Sequence, residues 1–220
     1  MTCLLNQDLW FPDPTTLPKG QGPEGLVAVG GDLSVERLLL AYRSGIFPWS
    51  ADPISWWSPD PRGILELDQF HVSRSLARTL RRGVFTVKWN SAFEQVVQGC
   101  AQGAPGREST WIHPDIMAAY GRLHREGHAH SVECWSNNGE LVGGVYGVAI
   151  GAAFFGESMF RTATDASKVA LYSLVQGLRE EGFAVFDIQM ITPFTRSLGA
   201  SLISRECYLS RLREALGWQF

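Results

Sequence analysis

An acid and an amide lie two residues apart in one apolar segment near the C-terminus. Segment 183–189 has the composition of a strand, and a period of two places Asp187 and Gln189 on one face, with Phe186 and Ile188 on the other. A buried carboxylate is costly without hydrogen-bond partners, and a tuned protonation state is the usual reason to retain one. The pair therefore indicates proton-transfer chemistry. The alternative is that Asp187 only caps the turn after the strand.

A second acid follows another apolar run, in segment 154–160. Glu157 and Ser158 lie there among four large apolar side chains, which is typical of a pocket floor with one anionic contact. The alternative is a strand that ends at Gly156 and exposes Glu157 to solvent. The nearby glycines do not form a Gly-x-Gly-x-x-Gly pattern before a helix, so the sequence favours hairpin turns over a phosphate cradle.

Basic residues recur in segment 73–82, where spacings of four and seven place most of Arg74, Arg78, Arg81 and Arg82 on one helical stripe. No acid in the segment pairs with them. Like charges four residues apart repel by a few tenths of a kcal/mol, so an anionic partner would explain them, and a solvated helix face is the alternative. Because the net charge is -3, an RNA partner would have to be held by such a local patch.

Histidines and cysteines give no metal or disulfide pattern. His124, His128 and His130 do not form His-Glu-x-x-His, and Gly127 is expected to end the helix between them, so we predict no metal site. No Ser/His/Asp triad or Cys/His pair can be assembled from the order of the residues. The four cysteines are scattered without a Cys-x-x-Cys pair and are predicted to be reduced thiols: Cys3, Cys100, Cys134 and Cys207.

The elements that must position these groups follow from the pattern of turn formers and apolar residues. Turn formers and aromatic residues dominate the first sixty residues, which enclose one helix that Ser34 caps and Gly45 stops. From about Gly63, strands and helices alternate, which predicts an α/β or α+β domain. We therefore predict a small N-terminal domain over 1–62 and a larger domain over 63–220. Helices are predicted at 73–82, 90–101, 114–126, 165–181 and 206–216, and strands at 84–89, 129–136, 141–148, 151–156 and 183–189.

Length and composition suit a protein with one substantial core. The chain has 220 residues, of which 45% are hydrophobic and 19% are charged. The N-terminus lacks the basic and apolar regions of a secretory signal. The longest weakly polar stretch, 143–156, is shorter than the roughly 20 residues that span a bilayer. We expect a cytoplasmic protein without a membrane partner.

Short motifs occur in a fixed order along nearly the whole chain. They are Phe-Pro-Asp-Pro (11–14), Gly-Leu-Val-Ala-Val-Gly-Gly-Asp-Leu-Ser (25–34), Gly-Ile-Phe-Pro-Trp (45–49), Trp-Trp-Ser-Pro-Asp-Pro-Arg (56–62), His-Val-Ser-Arg-Ser (71–75), Thr-Trp-Ile (110–112), Gly-His-Ala-His-Ser-Val-Glu (127–133), Leu-Val-Gly-Gly (141–144), Phe-Gly-Glu-Ser-Met-Phe (155–160), Asp-Ala-Ser-Lys (165–168) and Ser-Leu-Gly-Ala (197–200). Together these motifs resemble those of the leucyl/phenylalanyl-tRNA-protein transferase family. So many blocks in one order are not expected by chance.

The resemblance implies a fold and an activity. The fold would be a small N-terminal domain packed on a GNAT-like acyltransferase domain. The activity would be transfer of Leu, Phe and, to a lesser extent, Met from aminoacyl-tRNA to proteins that begin with Lys or Arg. The product would carry a destabilising N-terminus for Clp proteolysis. No cofactor, metal or DNA partner is implied, and a monomer is expected.

The resemblance also implies roles for individual residues. Asp187 and Gln189 match the family's proposed catalytic pair, and Glu157 matches its pocket acid. The arginines of segment 73–82 would face tRNA. Tyr42, Trp49 and Trp111 would line the site near the terminal adenosine with Ser158 in the same site, while Val145, Phe154 and Phe186 would enclose the aminoacyl side chain.

Two places depart from the family pattern. Phe194 stands where a His is common, three residues before the Ser of Ser-Leu-Gly-Ala, and Arg161-Thr162 stands where Ser-Arg is common. Both segments adjoin the expected substrate site, so they bear on donor preference. Two other functions remain as alternatives at this point: an N-acyltransferase that uses acyl-CoA, and an adaptor that binds protein N-termini without modifying them.

Overall fold

The N-terminal part of the chain forms a four-stranded sheet with one helix. The computed structural model describes residues 3–17, 25–102 and 110–217. Helix α1 begins after Ser34, whose hydroxyl accepts from the Arg37 amide, and Gly45 follows it with φ 71, so both predicted ends are confirmed. The sheet order is β1-β2-β4-β3, and its elements are β1 (Cys3–Leu5), β2 (Leu26–Gly30), α1 (Val35–Arg43), β3 (Phe47–Ala51) and β4 (Ile54–Trp57).

The rest of the chain forms a seven-stranded mixed sheet with helices on both faces. Its strand order is β11-β5-β10-β9-β8-β7-β6. The strands are β5 (Arg62–Leu65), β6 (Thr86–Trp89), β7 (Ala129–Trp135), β8 (Leu141–Ile150), β9 (Ala153–Arg161), β10 (Val185–Gln189) and β11 (Ala200–Ile203). The helices are α2 (Arg74–Arg82), α3 (Phe93–Ala101), α4 (Pro114–Arg125), α5 (Ala166–Glu180), α6 (Pro193–Ser197) and α7 (Arg205–Ala215).

All five helices and all five strands predicted for this region are present, with ends that differ by a few residues. The largest difference is in β9, which was predicted to end at residue 156 and continues to Arg161. Gly156, Glu157 and Ser158 interrupt its apolar run, and pairing with β8 as far as Gly143 and Arg161 keeps the strand extended. Strands β5 and β11 and the short helix α6 were not predicted.

Two consecutive glycines in β8 bring helices close to opposite faces of the sheet. A Cβ on Gly143 would lie 2.6 Å from the Ala166 Cβ of α5, and a Cβ on Gly144 would lie 2.9 Å from the Val96 Cγ2 of α3. Successive strand residues point to opposite faces, so one glycine serves each helix. The Gly-Gly pair therefore sets how closely α5 and α3 sandwich the sheet.

Strands β9 and β10 form a parallel pair that separates at its carboxyl end. Their pairing runs from Ala153 and Val185 to Phe155 and Asp187 and then stops, although β9 continues for six more residues. Beyond this point β10 pairs irregularly with β5, with a register shift between Asp187 and Gln189. Ligands of parallel sheets bind at the carboxyl ends of strands. The separation of β9 and β10 opens such a place.

The two sheets are joined by arginines. Arg205 at the start of α7 donates to the Ser58 carbonyl oxygen over 2.8 Å, and Arg62 Nη1 donates to the Gly45 carbonyl oxygen over 3.1 Å. Both arginines are buried, so these bonds fix the N-terminal sheet against the larger one. Among the helices that the structure describes, none is long and apolar enough to cross a membrane.

Candidate active site

A cavity of about 800 Å³ lies where β9 and β10 separate. Glu157 from β9 and Gln189 from β10 both line it. Gln189 Nε2 donates to Glu157 Oε1 over 3.0 Å, which bridges the gap between the two strands. The cavity therefore contains an acid and an amide in direct contact, contributed by segments 32 residues apart.

Glu157 is buried, and hydroxyl and amide donors surround its carboxyl group. Tyr42 Oη donates to Oε1 over 2.7 Å, and Tyr120 Oη donates to Oε2 over 2.9 Å. Burial raises the pKa of both tyrosines well above the ordinary value, and the charge of Glu157 raises it further, so their hydroxyls stay protonated. The solvent-exposed alternative for Glu157 is excluded, since only 9% of the residue is exposed.

Burial sets the pKa of Glu157. Tyr42 Oη and Tyr120 Oη also contact each other beside the carboxyl group. Burial raises the pKa of Glu157 most and the charge of Asp187 adds to it, while the bonds from the tyrosines and Gln189 oppose the rise. The resulting pKa is about 7, against an ordinary 4.5. Glu157 therefore changes protonation state near neutral pH.

Asp187 lies behind the cavity and forms a buried ion pair. Its oxygens accept from Arg62 Nε over 2.9 Å and from Arg62 Nη2 over 2.6 Å, and Oδ2 also accepts from Tyr208 Oη over 2.7 Å. Asp187 and Arg62 are both fully buried, and neither lines the cavity. A forked guanidinium on a carboxylate is the strongest geometry that such a pair can adopt. Asp187 is thus bound on both oxygens by Arg62 and on one by Tyr208.

Arg62 and Tyr208 are functional candidates that the sequence did not single out. Burial lowers the pKa of Arg62, but the charge of Asp187 and its hydrogen bonds raise it more, so the pKa of Arg62 lies above its ordinary value. Burial raises the pKa of Tyr208 well above its ordinary value, so it remains a donor to Asp187. Arg62 belongs to a recognised motif, yet it lies 125 residues from Asp187 in the chain. Only the strand order brings the two together.

The backbone at Gln189 separates the acid from the amide. Gln189 has φ 64, a left-handed conformation that is uncommon for a residue with a side chain. Its N–H donates to Asp187 Oδ1 over 2.8 Å, which holds this turn in place. The alternation of the strand therefore ends here, and the two side chains have different partners. Asp187 does cap the turn, as in the simpler alternative, and it also binds Arg62.

An apolar wall lines the cavity on the side of α5. Val145 and Phe186, predicted to enclose the aminoacyl side chain, both line the cavity, as does Ser158. Phe154 lies behind this wall, with its ring packed edge-on against Phe186 at 5.5 Å between centroids. Further apolar wall residues that the sequence did not identify are Leu65, Met159, Leu171, Ile188 and Leu198. Phe194, one of the departures from the family pattern, also lines the cavity.

Two of the three predicted aromatic site residues line the opposite side of the cavity. Trp49 and Trp111 are half-buried and face it, which suits stacking of a base. Tyr42 is fully buried behind Glu157 and reaches the cavity only through that carboxyl group. The structure therefore places Tyr42 with the acid and separates it from the two tryptophans.

The arginines of α2 lie on the surface. Leu76 anchors the helix to the core, while Arg74, Arg78, Arg81 and Arg82 are exposed and make no ion pair with any described residue. The four charges are therefore available to an anionic partner.

The histidines have structural partners. His124 Nδ1 lies 2.8 Å from the Ala129 carbonyl oxygen, and its ring stacks on Phe93 at 4.2 Å. His130 Nδ1 contacts the Asn90 amide nitrogen over 3.1 Å. Among residues 3–17, 25–102 and 110–217, no three His, Cys, Asp or Glu side chains form a group that could hold a metal ion.

Comparison with known proteins agrees with this architecture. The fold resembles the crystal structure of FemX with a TM-score of 0.52, at 12% identity, over 77% of this chain and 66% of that chain. The mixed sheet, the helices on both faces and the separated parallel pair define a GNAT-like fold with a small N-terminal domain.

The sequence comparisons give the family. Residues 64–213 match the family model described as leucyl/phenylalanyl-tRNA protein transferase, and residues 31–60 match the model for its N-terminal domain. The leucyl/phenylalanyl-tRNA–protein transferase of Syntrophobacter fumaroxidans is 53% identical over 96% of this chain and 89% of its own length. That of Chromobacterium violaceum is 50% identical over 92% and 89%. The chain belongs to the leucyl/phenylalanyl-tRNA–protein transferase family, and it is an aminoacyltransferase.

Proposed function

We propose that this enzyme transfers leucine, phenylalanine and, less readily, methionine from aminoacyl-tRNA to the α-amino group of proteins that begin with Lys or Arg. It would act in the cytoplasm as a monomer and mark its products for N-degron proteolysis. The observation that carries the proposal is one cavity in which Glu157 and Gln189 adjoin an apolar wall. The wall suits a large apolar side chain, and the polar pair suits an amine.

The reaction requires alignment and proton transfer but no covalent nucleophile. The aminoacyl ester is already activated, so the acceptor nitrogen attacks the carbonyl carbon, the C–N bond forms and the bond to the ribose 3′-oxygen breaks. The nitrogen must lose protons, and the 3′-oxygen must gain one. Holding the two reactants in one cavity supplies much of the acceleration, and a positioned acid or base adds about 10²–10⁴-fold.

Glu157 is suited to carry the proton. Its pKa of about 7 lies within about one unit of the roughly 7.7–8.0 of an α-ammonium group, so transfer between them costs only about 1.4 kcal/mol. The ionised carboxylate accepts a proton from the acceptor amine, and the resulting acid can give it to the leaving 3′-oxygen. Tyr42 and Tyr120 hold the carboxyl group in place during both steps.

Gln189 is suited to orient the acceptor amine. Because its Nε2 is bound to Glu157, its carbonyl oxygen remains as the hydrogen-bond acceptor of the amide. Asp187 fixes the Gln189 backbone and does not face the cavity, so we assign it a positioning role. Among the described residues that line the cavity, Glu157 is the one acid, which favours acceptors with a cationic N-terminal residue.

The activity is tested by incubating the protein with labelled Phe-tRNA or acetyl-CoA and a peptide that begins with Arg. A mass increase of one phenylalanyl residue on the unblocked peptide, absent from an N-acetylated control peptide, is the expected result. Acetylation would instead show an acyl-CoA enzyme, and peptide binding without any product would show an adaptor. The C-terminal fragment pattern of the product locates the added residue at the α-amine.

A further inference from the structure

The N-terminus of α5 opens onto the same cavity without a cap. The helix has 15 residues, and the Asp165 side chain at its N-cap position makes no capping bond. The first intrahelical bond runs from the Val169 amide to the Asp165 carbonyl oxygen, so the Ser167 and Lys168 amides have no acceptor among the described residues. Free amides and the helix dipole attract anions at such an end.

Ser167 is a second and independent sign of a ligand at this end. The residue is only 4% exposed, it lines the cavity, and its hydroxyl makes no hydrogen bond within the described chain. A hydroxyl that reaches a cavity without a protein partner is available to bond a ligand oxygen. Leu171, one turn later on the same helix face, also lines the cavity, so this face of α5 points into it.

Arg161 supplies a cation beside these groups. It is exposed, lines the cavity and makes no salt bridge among the described residues. It pairs with Gly143 in the sheet, and Gly143 in turn touches the first turn of α5, where an added Cβ would lie 3.0 Å from the Ser167 nitrogen. The nearby acid, Asp165, is already occupied, since Lys168 Nζ binds it over 3.1 Å and Thr79 Oγ1 binds it over 3.1 Å.

We infer that Ser167, the free amides at the start of α5 and Arg161 form a subsite for a nucleotide phosphate, namely the phosphate of the terminal nucleotide of the aminoacyl-tRNA donor. The inference rests on the proposed function for the identity of the donor. The subsite adjoins the apolar wall, because Met159 lies two residues before Arg161, about 7 Å along β9. A donor whose aminoacyl group contacts the wall thus has its nearest phosphate within reach of Arg161.

The arginines of α2 continue this subsite along the surface. Thr79 of α2 bonds to Asp165 just before α5, so the exposed face that carries Arg74 and Arg78 begins beside the subsite. The phosphate groups of a tRNA end repeat along its RNA backbone. A row of arginines that leads away from the cavity could bind successive phosphates. The subsite is then the last phosphate contact before the reacting ester.

The anion site itself is tested by titrating the ¹⁵N-labelled protein with inorganic phosphate at constant ionic strength. The Ser167 and Lys168 amide resonances should shift saturably in the wild type, and the shifts should become at least tenfold weaker in affinity in Ser167→Ala and Arg161→Gln. Arg179→Gln, on the exposed last turn of the same helix, is the matched control and should titrate like the wild type. Equal titration of all four proteins, or no shift in the wild type, would overturn the subsite.

The nature of the ligand is tested with two non-hydrolysable donors, amide-linked phenylalanyl-adenosine with and without a 5′-phosphate. The phosphate should strengthen binding to the wild type about tenfold and to Ser167→Ala less than about twofold, while the phosphate-free donor binds both alike. A phosphate gain that is the same in both proteins would refute the assignment. Failure of both donors to bind, with the resonance shifts intact, would instead contradict the proposed function and leave an anion site of another purpose.

Discussion

Gln189 and Glu157 bond across 3.0 Å at the point where two parallel strands part. The bond links two buried networks of opposite character. On one side Glu157 accepts from tyrosine hydroxyls and pairs with no cation of the described residues, and on the other Asp187 pairs with Arg62. The first carboxyl group can change its protonation near neutral pH, while the second is held by a forked guanidinium.

The rate of transfer should depend on the protonation of Glu157. Wild-type kcat/KM should rise with pH and show an inflection near pH 7, because the carboxylate must be ionised to accept a proton. In Glu157→Gln the rate at about pH 7 should fall about 100-fold or more, and the inflection should move to about 8, the pKa of the acceptor amine. Pre-steady-state transfer from Phe-tRNA across pH measures both, and an unchanged profile would exclude Glu157 as the proton carrier.

The stability of the fold should also reflect Glu157. The pKa of Glu157 is higher in the folded state than in the unfolded chain, so the folded state holds the proton more tightly. The contribution of this proton to the free energy of unfolding is complete below about pH 4.5. That stability is lost as pH rises through about 7, and the gap from 4.5 to about 7 corresponds to about 3 kcal/mol. Urea unfolding at about pH 5 and pH 8 should therefore show a smaller loss in Glu157→Gln than in the wild type. The exposed control Glu140→Gln should lose stability in parallel with the wild type.

Removing the charge of Asp187 should cost stability more than it alters the pH profile. Asp187→Asn leaves Arg62 buried without its counter-charge, which should lower the free energy of unfolding by about 3–5 kcal/mol. The exposed pair of Glu94 and Arg125 gives a matched control, since Glu94→Gln should cost less than about 1 kcal/mol. Transfer should be slower but should keep its inflection near or below pH 7. Loss of the inflection in Asp187→Asn would show that Asp187, rather than Glu157, is the base.

The apolar wall should set the ratio of Phe to Leu transfer. Val145→Leu adds one methylene where the aminoacyl side chain is expected, and it should disfavour Phe relative to Leu by about tenfold, within the 1–3 kcal/mol typical of such changes. Val148→Leu adds the same group to the same strand outside the cavity and should leave the ratio alone. Competition between Phe-tRNA and Leu-tRNA measures the ratio directly. Equal ratios in both variants would place the donor side chain elsewhere.

The exposed arginines of α2 should contribute to tRNA affinity through phosphate contacts. Arg78→Ala should weaken tRNA binding and reduce the slope of log K against log salt by about one, as expected for one lost contact. Arg125 of α4, which pairs with Glu94 of α3, is the control, and Arg125→Ala should keep the wild-type slope. If the Arg78 slope also stays unchanged, the helix is an ordinary solvated surface.

Much of the architecture was predictable from local patterns in the sequence. The caps at Ser34 and Gly45, the arginine helix and the alternating strands and helices of the larger domain depend on residues within a few positions of one another. The N-terminal strands, β5 and β11 were missed because they are short, and β1, β2, β5 and β11 also pair with strands that are distant in the chain. Asp187 and Gln189 were identified as a pair and Glu157 as a separate pocket acid, so the contact between Gln189 and Glu157 was not predicted.

The sequence by itself determined the kinds of group that the enzyme carries: two acids in apolar surroundings, an amide two residues from one of them, and a row of arginines. Only the tertiary structure decided that Glu157 titrates near neutral pH. Arg62 reaches Asp187 across 125 residues, Tyr42 reaches Glu157 across 115, and a left-handed backbone at Gln189 directs its amide to Glu157. A pKa depends on burial and on charges within a few ångströms, and these follow from strand order, which local periodicity does not encode.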